Sequence, residues 1–461
     1  MQLILYYDST IYEDYVRNEK LYRRCAFRIG IGIFALLIFF LCTACANLAP
    51  RALVWTDMPE LIIAAQLFNR ENDRYIIDVE YKAFPASEII KTTKPPSLII
   101  ARYMLSNLVM KKFASLDELF SEYYLDPNDM YPALLNAGKL GSKHVLLPVS
   151  FDCELIIENK SETARAGTAM LDPETIRQTS QAFTRIENGK ISSMGFSPRW
   201  DLGFAENWLL AANVGFTPNE KWKPTSVPAI SDDISSWPVL WNKQNLEKCI
   251  EGLLSFNSDI GVSQQDDFAF TYFNMPGYQL VLEGKVLYWP MKASEYFKLP
   301  HSIREQLRYR FPAVDHKIIL TENSRFIGIP RGSKNRKAAL EFARWLFVAT
   351  NQEKIWKEME SQQLLPDYVG AFDGFSSIMQ VNETIFLRYF PEYGQNPLLP
   401  AAIPEPARIP DYWEDFSRDF LHHWLEAVMS NPESRVAIDQ GFRSAFEQYM
   451  GIMPDWLISN H

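Results

Sequence analysis

Apolar positions along this chain alternate between strand-like and helix-like spacing from residue 52 almost to its end. ALVWT at 52–56 is an apolar strand candidate, and Leu61, Ala64, Ala65 and Phe68 then recur at helical spacing. Asp57 stands before that run with Glu60 three residues later and Pro59 between them, which predicts a helix N-cap with a capping-box partner. YIIDVEY at 75–81 alternates as a strand does, so the segment opens β-α-β, the unit of a mostly parallel sheet. Further strands are expected at 97–101 (SLIIA), 145–149 (VLLPV), 154–157 (ELII), 286–289 (VLYW, after Gly284) and 326–330 (FIGIP). NWLLAAN at 207–213 reads as a helix, as does the face formed by Ala339, Phe342, Ala343 and Leu346. Residues 161–190 are polar with helical stretches. Residues 217–245, rich in Pro, Ser and Trp, read as a surface insertion. The last 60 residues are helical again between prolines at 397, 400, 404, 406 and 410. There is no internal repeat, and the class is α/β.

The N-terminal stretch sets the compartment. Arg17, Lys20, Arg23, Arg24 and Arg28 precede an apolar run at 29–44, IGIGIFALLIFFLCTA, which closes on Thr43-Ala44-Cys45. A basic region, an apolar core and small residues before a cut point predict a secretory signal peptide over 1–44. A Cys after two small residues resembles a lipobox, of the looser spirochaete kind because Cys42 stands where an aliphatic residue is usual. Cys45 is then the site of acylation (palmitate among the chains). The alternative is an uncleaved anchor, but the run is shorter than the roughly 20 residues a spanning helix needs. Either way the rest of the chain is expected outside the cytoplasmic membrane, facing the periplasm or the cell exterior.

Composition removes several functions. A net charge of −10 over 461 residues argues against a nucleic-acid partner. It offers no basic patch for anionic lipid, so acyl chains would have to do the anchoring. Beyond Cys45 only Cys153 and Cys249 remain, which is no disulfide framework, and both read as buried thiols. The six His show no metal-ligand spacing: His422 and His423 are adjacent and cannot share one helical face. No GxSxG, HExxH or P-loop is present, and the adjacent Asp266 and Asp267 point apart in an extended segment. No enzyme chemistry, cofactor or metal is therefore expected.

Four segments, in order, resemble the extracellular solute-binding proteins (family 1) of ABC importers: ALVWTDMPELIIAAQLFNREN from 52, LLPVSFDCELIIENK from 146, DLGFAENWLLAANVGF from 201 and FIGIPRGSKNRKAALEFARWLF from 326. The resemblance spans about residues 50–455. It implies a two-lobed periplasmic-binding-protein fold with hinge strands between the lobes and a ligand cleft. Lobe one is expected over 50–153 and 311–370, and lobe two over 154–310 and 371–455.

The resemblance also implies a site. Sugar binding needs flat rings for the C–H faces of a pyranose and polar groups for its hydroxyls. Carried over position by position, the candidates are Trp55 and Asp57 at the first strand-to-helix loop, Arg102 after the LIIA strand and Asp152 in the crossing segment. Phe204, Asn207 and Trp208 come from the loop and helix after 201. Trp289 and Tyr296 lie beyond Gly284, and Trp413 is in RIPDYWEDF. The implied function is reversible capture of a sugar or oligosaccharide by a monomer, delivered to permease subunits. Two alternatives remain open: a glycerol phosphate or phosphodiester ligand, for which Arg102 and Arg199 are available, and a surface interaction protein that kept the fold and lost its ligand.

Overall fold

The computed structural model describes residues 49–161, 168–222, 237–258, 272, 274–364, 368–430 and 437–451. Cys45, the whole leader and the Asp266-Asp267 pair lie outside them. Among the described residues no helix is long and apolar enough to cross a membrane.

Two sheets organise the chain from Arg51 onward. Their strands are β1 (Arg51–Thr56), β2 (Ile76–Tyr81), β3 (Leu98–Ala101), β4 (Leu147–Phe151), β5 (Glu154–Asn159), β6 (Met170–Leu171), β7 (Trp289–Lys292), β8 (Leu307–Val314), β9 (Lys317–Ile318), β10 (Arg325–Gly328) and β11 (Phe375–Ser376). The first sheet has the order β11-β4-β10-β3-β1-β2, and the second β7-β5-β8-β9 with β6 beside β8. In the first sheet β1 runs parallel to β2 and β3, whereas β10 is antiparallel to β3 and β4. Side chains alternate strictly there. Ala52, Val54, Leu98 and Ile100 enter one apolar cluster, and Trp55, Ile99 and Ala101 enter another, so both faces are covered.

The helices used below are α1 (Leu61–Glu71), α2 (Leu202–Ala211), α3 (Lys243–Ser258), α4 (Gly277–Leu282), α5 (Ala293–Lys298), α6 (Arg336–Leu346), α7 (beginning at Trp413–Phe416) and α8 (Ile438–Gly451). Helix α7 passes through a π-helical turn at Ser417–Leu421 and continues as His422–Ser430. Phe68 of α1 meets Phe342 of α6 edge-on at 5.2 Å, which pins both helices over the first sheet.

Several expectations shift. The strand expected at VLYW begins only at Trp289, because Val286 to Tyr288 sit in a loop that bonds back to Met194 and Gly195. Of the stretch expected as a surface insertion, residues 223–236 lie outside the described ones, and its described ends are anchored inward. Trp222, Trp237 and Trp241 are buried, and Trp237 stacks on Phe446 of α8 at 5.3 Å. Phe375–Ser376, assigned from the sequence with 371–455 to lobe two, pairs with Phe151 and Ser150 in the first sheet. A two-residue strand carries no periodicity that could have announced this.

The chain passes between the sheets at two adjacent places. β4 runs through Asp152 and Cys153 directly into β5. The return leads from β9 through Ile319–Ser324 into β10. The two passages touch: Cys153 and Leu320 form an antiparallel bridge, Glu154 N donates to Ile319 O at 2.8 Å and Thr321 N to Asp152 O at 3.0 Å.

Candidate functional site

Charged and amide side chains gather around these passages. Asp57 lies just beyond β1, at the carboxyl end of a parallel strand, where open α/β sheets hold ligands. It does not cap α1. That helix starts at Leu61 with Glu60 as its N-cap and no side-chain cap bond, because Met58–Glu60 first make a turn. Asp57 Oδ2 instead accepts the backbone N–H of Arg102 at 3.2 Å and its Nε–H at 2.8 Å, while Oδ1 faces Arg325 Nε at 3.6 Å. The Arg102 guanidinium reaches onward to Asn323 Oδ1 at 3.3 Å and Glu414 Oε2 at 3.4 Å. The next residue, Tyr103, has φ 61°, in the left-handed region that is costly for a bulky side chain.

At the first passage Asp152 is buried and fully engaged. It accepts from Ser294 Oγ at 2.6 Å, Ser294 N at 3.1 Å and Cys153 N at 2.9 Å. Burial pushes its carboxyl up to about 6, against the pull of Ser294 and of the Lys292 charge. Next to it, buried Glu154 accepts from Asn207 Nδ2 at 2.7 Å, and burial together with the Asp201 charge raises its carboxyl well above the ordinary range. Lys292, the register partner of Glu154 across β5 and β7, donates to Glu322 at 2.9 Å. Burial would raise Glu322, but the Lys292 charge and hydrogen bond outweigh it and hold Glu322 below its usual value.

Glu206 of α2 forms a second hub. It accepts Trp413 Nε1–H at 2.7 Å, bonds the Ser417 hydroxyl and meets His422 Nε2 at 2.7 Å. Ser417 opens the π-helical turn, a distortion that brings three residues of α7 to one carboxylate. Burial lowers His422, but the hydrogen bond and charge of Glu206, with Asp201 and Glu322, leave it raised overall.

Trp289 stacks on Trp200 with ring centroids 5.3 Å apart and planes 11° from parallel. Its indole also lies against the backbone of Gly277: a Cβ there would sit 2.0 Å from the ring, so only glycine lets α4 come this close. A cavity of about 460 Å³ opens beside the passages, lined by Tyr103 and Ser324, by Leu210 and Val314, by Glu322 and by Pro404.

Of the residues singled out from the sequence, Asp57, Arg102, Asp152 and Asn207 stand around the passages, whereas Trp289 pairs with Ile157, further along β5 than Glu154, and stacks on Trp200. Trp413 is buried behind the passages, on Glu206 and between Phe216 and Phe416. Trp55 lies apart. Its Nε1 donates to Glu80 of β2 at 2.8 Å and Lys82 covers its ring. Phe204 and Trp208 pack edge-on to each other in a core that includes Phe256. Tyr296 packs against Phe297 and Tyr309. Glu154, Trp200, Asp201, Glu206, Lys292, Glu322 and Arg325 were missed. FDCE and FAEN were visible as motif segments, but nothing in their spacing marks Glu154 or Glu206 as buried.

No family model matches this chain, and no curated protein does. Solved structures match it over nearly their whole length. A sugar transporter from Rhizobium etli in an open conformation superposes with a TM-score of 0.56 at 13% identity, covering 87% of this chain and 98% of that one. An extracellular solute-binding protein family 1 member from Alicyclobacillus acidocaldarius gives 0.55 at 12%, covering 88% and 98%. An ABC substrate-binding protein from Listeria monocytogenes in complex with cycloalternan gives 0.53 at 14%, covering 88% and 99%. The chain thus has the two-lobed α/β fold of the extracellular solute-binding proteins, with helices and sheets in both lobes.

Proposed function

We propose that this chain is the solute-capturing component of an ABC importer, that its solute is a sugar or oligosaccharide, and that no bond is made or broken. Lobe one is built on the first sheet and lobe two on the second, with the passages at 152–153 and 319–324 as the hinge. The observation that carries this reading is the convergence of polar side chains from both sheets on that hinge. Asp57, Arg102 and Arg325 come from the first, and Asp152, Glu154, Asn207 and Lys292 from the second and its helices. Hydroxyl-rich ligands are held by such fixed donors and acceptors, with the Trp200–Trp289 pair as apolar surface. The structural neighbour bound to cycloalternan supports a carbohydrate ligand. A ligand touching both lobes favours the closed state, which a permease can read. Acylation at Cys45 would tether the protein at the outer face of the membrane.

A phosphate-bearing ligand gains less support. Arg102 is held between Asp57 and Glu414, while Arg199 donates to Ser430 Oγ at 2.8 Å, so the two arginines do not converge.

The test is mass spectrometry of solute that co-purifies, followed by melting curves with sugar and glycerol-phosphate panels. A saccharide at 100 times its Kd adds about 2.7 kcal/mol of stability by mass action. A shift with glycerol phosphates alone, or with no solute at all, contradicts the proposal.

A further inference from the structure

The end of the first sheet opposite the passages is basic. β1 starts there at Arg51, β3 at Leu98 and β4 at Leu147, and antiparallel β10 finishes there at Gly328. Four segments turn at this end: KTTK at 91–94, KK at 111–112, KLGSK at 139–143 and RGSKNRK at 331–337. They hold ten Lys and Arg and no Asp or Glu, in a chain whose 56 acidic side chains outnumber its 46 basic ones, so positive charge is concentrated here. Hydrogen bonds join the segments into one surface. Lys112 Nζ donates to Ile90 O at 2.9 Å, Arg331 N to Lys112 O at 2.8 Å, Arg336 Nη2 to Ser115 O at 2.7 Å and Leu116 N to His144 O at 2.7 Å. Asn335 Nδ2 donates to Arg51 O at 2.6 Å, which places the start of β1 in the same surface.

Most of that charge is uncompensated. Lys91, Lys94, Lys143, Arg331, Lys334 and Lys337 are exposed and make no ion pair among the described residues. Lys111 pairs with Glu220 at 2.7 Å and Arg336 with Glu118. The neighbouring acids are held likewise, Asp78 by Arg51 at 2.6 Å and Asp117 by His144 at 2.8 Å. Exposed Asp73, before β2, and Glu122, one turn beyond Glu118, make no ion pair among the described residues and offset two of these six cations at most.

The chain enters the lobe at this same end. Cys45 stands six residues before Arg51, and six extended residues reach at most roughly 22 Å. Whether an acylated Cys45 or an uncleaved apolar run at 29–44 holds the chain, the tether lets the basic end settle against the bilayer. There it comes within a Debye length of the headgroups, about 8 Å at physiological salt, where Lys and Arg are drawn to anionic lipid.

We infer that this surface docks on anionic phospholipid headgroups, contrary to the expectation from net charge. The inference rests on the membrane tether proposed above and gives it an orientation. Asp57 and Arg102 stand at the opposite ends of β1 and β3, so docking leaves the site turned away from the lipid.

The test is hydrogen exchange, read by mass spectrometry, on the full chain in nanodiscs of phosphatidylcholine alone and of phosphatidylcholine with one-third phosphatidylglycerol. Exchange at 91–97, 111–116, 139–144 and 330–337 is expected to slow at least threefold in the anionic discs. It should recover in 1 M salt, where the Debye length is about 3 Å. A triple variant, Lys94→Glu with Lys143→Glu and Lys334→Glu, should lose the protection and keep its melting temperature. Equal exchange in the two discs, with the chain bound to both, overturns the inference and leaves the tether and the sugar reading standing. A chain that associates with neither disc overturns tether and inference together. Protection that persists in high salt or in the triple variant also overturns the inference, because the lysines then do not carry it.

Discussion

Arg102 donates its Nε–H to Oδ2 of Asp57 at 2.8 Å, and the same guanidinium lies 3.4 Å from Glu414 at the start of α7. The pair thus ties the ends of β1 and β3 to a helix that packs with α2 beside the second sheet. Asp57 is almost fully enclosed, so its charge depends on Arg102 and Arg325 for compensation.

Asp57→Ala and Arg102→Ala are each expected to weaken solute binding at least tenfold, about 1.4 kcal/mol. The double variant should lose much less than the sum, because one interaction is removed in both. Calorimetry on the three variants checks this. Additive losses would mean that the two side chains act separately.

A pH dependence follows from His422. Its native pKa is raised above the ordinary value of 6.5 by Glu206, with Asp201 and Glu322 adding to it, although burial opposes the shift. Stability from this pair is complete below the unfolded value and is lost as pH rises through the native one. His422→Gln should therefore cost more stability at pH 6 than at pH 9 in urea unfolding. Equal losses at both pH values would contradict the pairing.

Gly277→Ala would drive a methyl into the Trp289 indole, since a Cβ at that position lies 2.0 Å from the ring. The stack on Trp200 should shift, changing the near-ultraviolet circular dichroism of the tryptophans and weakening binding by several fold. An unchanged spectrum and affinity would show that the stack is not set by this contact.

The fold was legible because strand and helix periodicities are strong where both sheet faces are buried. ALVWT, YIIDVEY and SLIIA marked β1 to β3 within a residue or two. The site was legible only in part. Asp57 carried a local signal, helix capping, that pointed to the wrong role, because the turn at Met58–Glu60 moved the helix start beyond its reach. Phe204 and Tyr296 look like any stacking aromatic in sequence, yet they fill cores. The charged cluster of Glu154, Lys292 and Glu322 unites positions far apart along the chain, brought together by the register of β5 with β7 and by the second passage. No local pattern encodes that juxtaposition.

Capture by closure of two lobes is tested most directly by small-angle X-ray scattering, with and without the saccharide that gives the largest melting shift. A saturable decrease in the radius of gyration is expected, with the saccharide recovered intact. An unchanged radius at saturation, or conversion of the saccharide, would contradict it.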